Sequence, residues 1–109
     1  MKDITERAQF EDVISAGKAV VMFSADWCPD CRVIEPALPE LEEENKSFSF
    51  YHADRDQLID VCQDYGIFGI PSFLVFESGE EVHRYVDKDR KTPEQVQAFL
   101  DEANQKITS

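Results

Sequence analysis

The chain has 109 residues and carries 23 Asp and Glu against 11 Lys and Arg, a formal charge of −12, which argues against nucleic acid or anionic membrane as a partner because both demand clustered Lys and Arg. The length is that of one domain, 1–109, able to bury a modest core without metal or disulfide staples. Its opening MKDITERAQF has charges throughout and no apolar leader, and no aliphatic run is long enough to cross a bilayer, so a cytoplasmic protein is expected.

Along the chain, Phe10, Val13 and Ile14 trace a helical stripe that stops at Gly17. Ala19 to Phe23 is a continuous valine-rich run, as in a central strand covered on both faces. After WCPDC at 27–31, Cys31, Ile34, Leu38 and Leu41 recur at helical spacing. That helix must kink or break, because Pro36 and Pro39 lack the amide protons that would bond the carbonyls of Arg32 and Glu35. FSFYHA at 48–53 reads as a strand, and Leu58, Val61, Cys62 and Tyr65 form the apolar side of a third helix before Gly66. SFLVF at 72–76 and EVHRYV at 81–86 read as a hairpin whose turn contains Gly79. The last helix has Thr92 as N-cap, Pro93 at its first position and Gln95 completing a capping box, with Val96, Phe99, Leu100 and Ala103 on its buried face. Alternating strands and helices followed by a hairpin imply an α/β fold, a mixed central sheet with helices on both faces.

Three cysteines with a single close pair suit a reducing compartment, in which a CxxC is catalytic or metal-binding. If the strand feeds a helix at the cysteines, Cys28 falls at the N-cap, Pro29 at the first helical position and Cys31 one turn on. A thiolate at an N-cap accepts hydrogen bonds from free first-turn amides and feels the positive end of the helix, which lowers its pKa. Cys28 is then the attacking thiol, Cys31 the deeper resolving thiol, and Trp27 a wall that shields the site from water. Pro29 and Asp30 are also ordinary first-turn residues and explain a helix start without chemistry; they do not explain the paired cysteines behind a tryptophan.

The segment FSADWCPDC resembles the active-site segment of the thioredoxin family, WCGPC in its usual form. The resemblance extends over nearly the whole chain: Pro36 matches the family's kink proline, and YGIFGIPSFLVFESGE at 65–80 is similar to the segment that carries its cis-proline, here Pro71. It implies the thioredoxin fold and a thiol–disulfide oxidoreductase that reduces protein or low-molecular-weight disulfides, with Ile70 and Pro71 docking an extended stretch of substrate beside Cys28. It further implies no bound cofactor, a thioredoxin-reductase-type electron donor, and a role in electron transport and cell redox homeostasis as a monomer. Read without the family, Pro71 could equally be a trans proline starting a strand.

Several positions depart from the family pattern. Met22 stands where thioredoxins bury an aspartate that moves the proton of the resolving thiol, and His52 stands at the position of that acid's lysine partner. Resolution at Cys31 is therefore expected to be slower, or to use His52 or a water, since methionine exchanges no protons; His52 could instead be a plain surface strand residue. Asp30, with Asp26 close by, sets negative charge beside Cys28, which disfavours the thiolate and predicts a reductant nearer about −270 mV than about −120 mV. Asp87 replaces a common glycine and alters the surface near the site, and Cys62, on an apolar helix stripe, is expected to be buried and inert. Two readings from other classes stay open. One is a metal module using Cys28 and Cys31 with Cys62, His52 or His83, which lack a second short ligand spacing; the other is a redox-quiet domain that docks peptides at Ile70 and Pro71.

Overall fold

In a computed structural model that describes residues 1–108, five strands form one mixed sheet in the order β1-β3-β2-β4-β5. Residue 109, the last of the expected domain, lies outside the described residues. The strands are β1 (Lys2–Ile4), β2 (Lys18–Ser24), β3 (Ser49–Asp54), β4 (Ser72–Glu77) and β5 (Glu80–Tyr85). The helices are α1 (Arg7–Ser15), α2 (Pro29–Ile34), α3 (Leu38–Glu44), α4 (Ile59–Tyr65) and α5 (Pro93–Thr108). Among the described residues no helix is long and apolar enough to cross a membrane.

Central β2 runs parallel to β3 and antiparallel to β4. Both of its faces are buried, which is why its sequence is continuously apolar rather than alternating. Val21 and Phe23 join one core with Phe10 and Ile14 of α1 and Val61 of α4. Val20 and Met22 join a second core with Ile34, Leu38, Leu41 and the α5 residues Val96, Phe99 and Leu100. Burying each such valine or phenylalanine contributes about 1.5–3 kcal/mol, so truncating Phe23 to alanine is the kind of single change that costs about 3–5 kcal/mol.

The expected break in the second helix is present: a 3-10 turn over Glu35–Ala37 separates α2 from α3, with Pro36 inside it and Pro39 in the first turn of α3. At the start of α5 the capping box is complete, Gln95 Oε1 accepting from the Thr92 amide at 2.9 Å and Thr92 Oγ1 accepting from the Gln95 amide at 3.1 Å. The β4–β5 turn has both central residues at positive φ, Ser78 at 51° and Gly79 at 91°, the mirror-image turn whose twist matches that of paired strands. The amides of Ser78 and Gly79 donate to the carbonyls of Gly17 and Ile14, each at 2.9 Å, tying the hairpin to the end of α1.

Strand β1 is an addition to the sequence reading. With three residues, of which Ile4 alone is buried, it carries too little alternation to be legible, and its pairing with β3 comes from residues remote in the chain.

The register places the site. Because β4 is antiparallel to β2, Phe23 near the end of β2 lies opposite Ser72 at the start of β4. The segments that follow β2 and precede β4, Ala25–Cys28 and Gly69–Pro71, therefore emerge at the same edge of the sheet.

Candidate active site

Cys28 is the N-cap of α2, with extended backbone (φ −88°, ψ 109°) and Pro29 immediately inside the helix. Its Sγ accepts from the Cys31 amide at 3.2 Å, the first-turn donor that an N-cap side chain is placed to satisfy. Cys28 and Cys31 form a disulfide, their Cα atoms 5.3 Å apart. Cys28 is 4% exposed and Cys31 0%, so solvent reaches the pair from the Cys28 side. Cys31 packs in the core that holds Phe23, Ala25, Ile67 and Ile70.

The Ile70–Pro71 peptide is cis, as the resemblance implies. The Ile70 carbonyl oxygen lies 4.0 Å from Cys28 Sγ, so the edge expected to dock substrate and the more accessible sulfur are neighbours. Trp27 is 60% exposed, and its indole N–H donates to Asp56 Oδ2 at 2.8 Å. Cys31 is buried by the apolar residues packed around it. Phe68, on the same loop as Ile70, is also exposed and was not singled out from sequence.

Charge around the pair differs from the sequence reading. Asp30 is not an isolated acid, since Arg90 Nε lies 3.0 Å from its Oδ1. Asp26 has an exposed side chain, and its main-chain carbonyl accepts from Arg32 Nε at 3.1 Å.

Asp87, partly exposed, pairs with a buried lysine. Lys91, buried within the 86–92 loop, sets its ammonium 2.8 Å from Asp87 Oδ1 and 2.9 Å from the Asp89 carbonyl. Burial alone would raise the Asp87 carboxyl pKa, but the Lys91 hydrogen bond, the Asp89 amide and the Lys91 charge together hold it below the usual carboxylate range. The same loop meets the cis-proline segment: Ser72 Oγ donates to the Gly69 carbonyl at 2.6 Å and reaches the Asp87 carbonyl at 3.3 Å. Gly69 is required by this close approach, because a Cβ there would lie 2.6 Å from both the Asp87 carbonyl carbon and the Lys88 nitrogen.

Met22 and His52 are register partners across β2 and β3, yet their side chains go to different neighbours. Met22 is buried in the α3/α5 core, a different cluster from that of Cys31. His52 is half-buried, not a free surface residue: Nε2 is hydrogen-bonded to Ser24 Oγ, and Nδ1 lies 3.2 Å from Asp3 Oδ1. Cys62 is buried, and burial pushes its thiol pKa up, outweighing the charge of Arg55. Among the described residues no group of three or more His, Cys, Asp or Glu side chains is arranged to hold a metal ion.

A cysteine pair at a helix start, one sulfur more accessible than the other and facing a cis X-Pro turn, is the arrangement of a thiol–disulfide exchange centre. The thioredoxin family model matches residues 2–102. The chain is 39% identical over 80 residues to the mitochondrial thioredoxin-2 of Schizosaccharomyces pombe, covering 72% of this chain and 60% of that protein. It is 38% identical over 79 residues to the H-type thioredoxin of Fagopyrum esculentum, covering 72% and 68%. Among solved structures, thioredoxin from Trypanosoma brucei brucei superposes with a TM-score of 0.83 at 21% identity, covering 94% of this chain and 89% of that one. The chain belongs to the thioredoxin family. It has the thioredoxin fold, and Cys28–Cys31 is the redox-active pair of a thiol–disulfide oxidoreductase.

Proposed function

We propose that the protein is a cytoplasmic, monomeric reductant of protein or low-molecular-weight disulfides, acting as one thioredoxin-like domain. The observation that carries this is the position of Cys28 Sγ, the more accessible sulfur, 4.0 Å from the Ile70 carbonyl. In the reduced protein the Cys28 thiolate attacks one sulfur of a substrate disulfide; a Cys28–substrate S–S bond forms and the other substrate sulfur leaves as a thiolate that takes a proton. Cys31 then loses its proton and attacks Cys28 Sγ, forming the Cys28–Cys31 disulfide and releasing the second substrate thiol. The substrate gains two electrons and two protons, and a thioredoxin-reductase-type donor returns two electrons to the pair.

Trp27, Ile70 and Pro71 frame the substrate, with Ile70 offering backbone for hydrogen bonding. Asp26, Asp30 and His52 tune the protons. Met22 replaces the carboxylate that the family uses at Cys31, which favours slow resolution or a route through water, or through His52 once it leaves Ser24 and Asp3. Met22→Asp should then speed insulin reduction; an unchanged rate rejects that role for the position.

The deciding experiment is the midpoint potential of the Cys28–Cys31 pair in a glutathione or dithiol buffer, with Cys62→Ser as control. A value near or below about −230 mV is that of a cytosolic reductant. A value well above it, or no reversible two-electron couple, moves the protein to an oxidant, an isomerase or a redox-quiet docking domain. Insulin reduction separates the last of these, because a docking domain does not turn over.

A further inference from the structure

The acid between the two cysteines is met by a cation from the far end of the chain. Asp30 lies in the first turn of α2, and Arg90, on the loop between β5 and α5, places Nε 3.0 Å from its Oδ1. Both side chains keep solvent contact, the arginine at 62% and the aspartate at 35% exposure, so as a contribution to stability the pair is worth at most about 1 kcal/mol. Its position gives it another use. An unpaired carboxylate two residues from Cys28 would repel a thiolate forming there, and the guanidinium paired with it offsets that charge.

The neighbouring cations Arg32 and Lys91 are engaged elsewhere. Arg32, on α2 itself, spends its Nε and Nη2 on the Asp26 carbonyl. Asp56 is engaged by the Trp27 indole, and Asp26 is exposed. Lys91 is turned inward onto Asp87. Arg90 itself is held on a braced loop: Asp87 and Asp89 on one side of it bond Lys91 on the other, and the Gly69 segment packs against Asp87 and Lys88.

We propose that Arg90 is a positioning residue for the exchange reaction: its ion pair with Asp30 cancels the charge of the acid between the cysteines and keeps the Cys28 thiolate available near neutral pH. The inference rests on the reading of Cys28 as the attacking thiol. It also explains how an acid can occupy this position without suppressing the nucleophile beside it.

The test uses the reduced full chain carrying Cys62→Ser, as Arg90→Gln, Arg90→Lys, Asp30→Asn and the double variant Asp30→Asn with Arg90→Gln. Iodoacetamide alkylation is followed against pH, with mass mapping of the labelled cysteine, and the midpoint potential is measured alongside. Arg90→Gln should alkylate about threefold more slowly below the titration midpoint, a rise of about half a pH unit in that midpoint, with a more negative potential. Asp30→Asn should move both readouts the opposite way, the double variant should return close to the parent, and Arg90→Lys should retain parent behaviour. At 1 M salt the differences should shrink, since screening then acts over about 3 Å. Mere loosening of the loop would move Arg90→Gln and Asp30→Asn in the same direction, and that result, or no change in Arg90→Gln, overturns the proposal while leaving Cys28 as nucleophile. Label on Cys31 instead of Cys28 overturns the nucleophile assignment and the proposal together.

Discussion

The ammonium of Lys91, with no side-chain exposure, lies 2.8 Å from a carboxylate oxygen of Asp87 and 4.8 Å from the centre of the Tyr85 ring. The two partners are not equivalent, because Asp87 keeps 38% of its side chain in solvent while Lys91 keeps none. Asp87→Ala strands a buried cation and should cost about 2–4 kcal/mol. Lys91→Met leaves an acid that water can still solvate, and should cost about 1–2 kcal/mol. Urea denaturation of the two variants measures the difference, and equal losses would mean that Lys91 gains its stability from the Asp89 carbonyl and the ring rather than from the ion pair.

The same pair sets an acid limit. The folded Asp87 carboxyl is held below its ordinary value, with Lys91 and the Asp89 amide overcoming the opposing effect of burial. A depressed folded pKa means that its contribution is fully present above the unfolded value of about 3.9 and is lost as pH falls through the folded value. Asp87→Asn should therefore be less stable than the parent at pH 6, with the two stabilities converging as pH falls through the folded value. Denaturation midpoints across that range read this directly; curves that stay parallel would remove Asp87 from the acid response.

Gly69→Ala places a methyl group against main chain, 2.6 Å from the Asp87 carbonyl carbon and the Lys88 nitrogen. Neither atom is the end of a flexible side chain, so the Gly69–Pro71 segment and the 86–92 loop must separate. The expected loss is about 1–3 kcal/mol, together with a higher KM for insulin, because the displaced segment carries the Ile70 carbonyl. An unaltered KM would place substrate docking elsewhere.

Cys62 is buried on α4, and burial raises its thiol pKa. In the fully reduced protein, iodoacetamide at neutral pH should label Cys28 ahead of Cys62, by a margin of at least about tenfold. Time-resolved mass mapping decides the order. Labelling of Cys62 at a rate near that of Cys28 would mean that α4 opens readily.

Much of the fold was legible because it is written in local patterns. The doubly buried run Ala19–Phe23, the prolines that break the helix after Cys31, Gly79 in the hairpin turn and the Thr92–Gln95 box each depend on residues a few positions apart. The cysteine pair was legible for the same reason, and the cis-proline through family resemblance. What was missed are partnerships across the chain. Arg90 meets Asp30, and His52 meets Asp3 and Ser24, through the course of a loop and the registers of the sheet. No short-range pattern announces such a contact, so Asp30 read as an uncompensated charge and His52 as either a proton carrier or a plain surface residue.

The antiparallel register of Phe23 with Ser72 makes the exchange centre a property of the assembled sheet rather than of its motif. A fragment that stops before residue 71 would keep both cysteines in its sequence but lose β4, the strand paired with β2, and with it Phe73 and Val75 from the core that holds Ile34. The geometry that sets Cys28 Sγ 4.0 Å from the Ile70 carbonyl therefore exists only when β4 has taken its place beside β2.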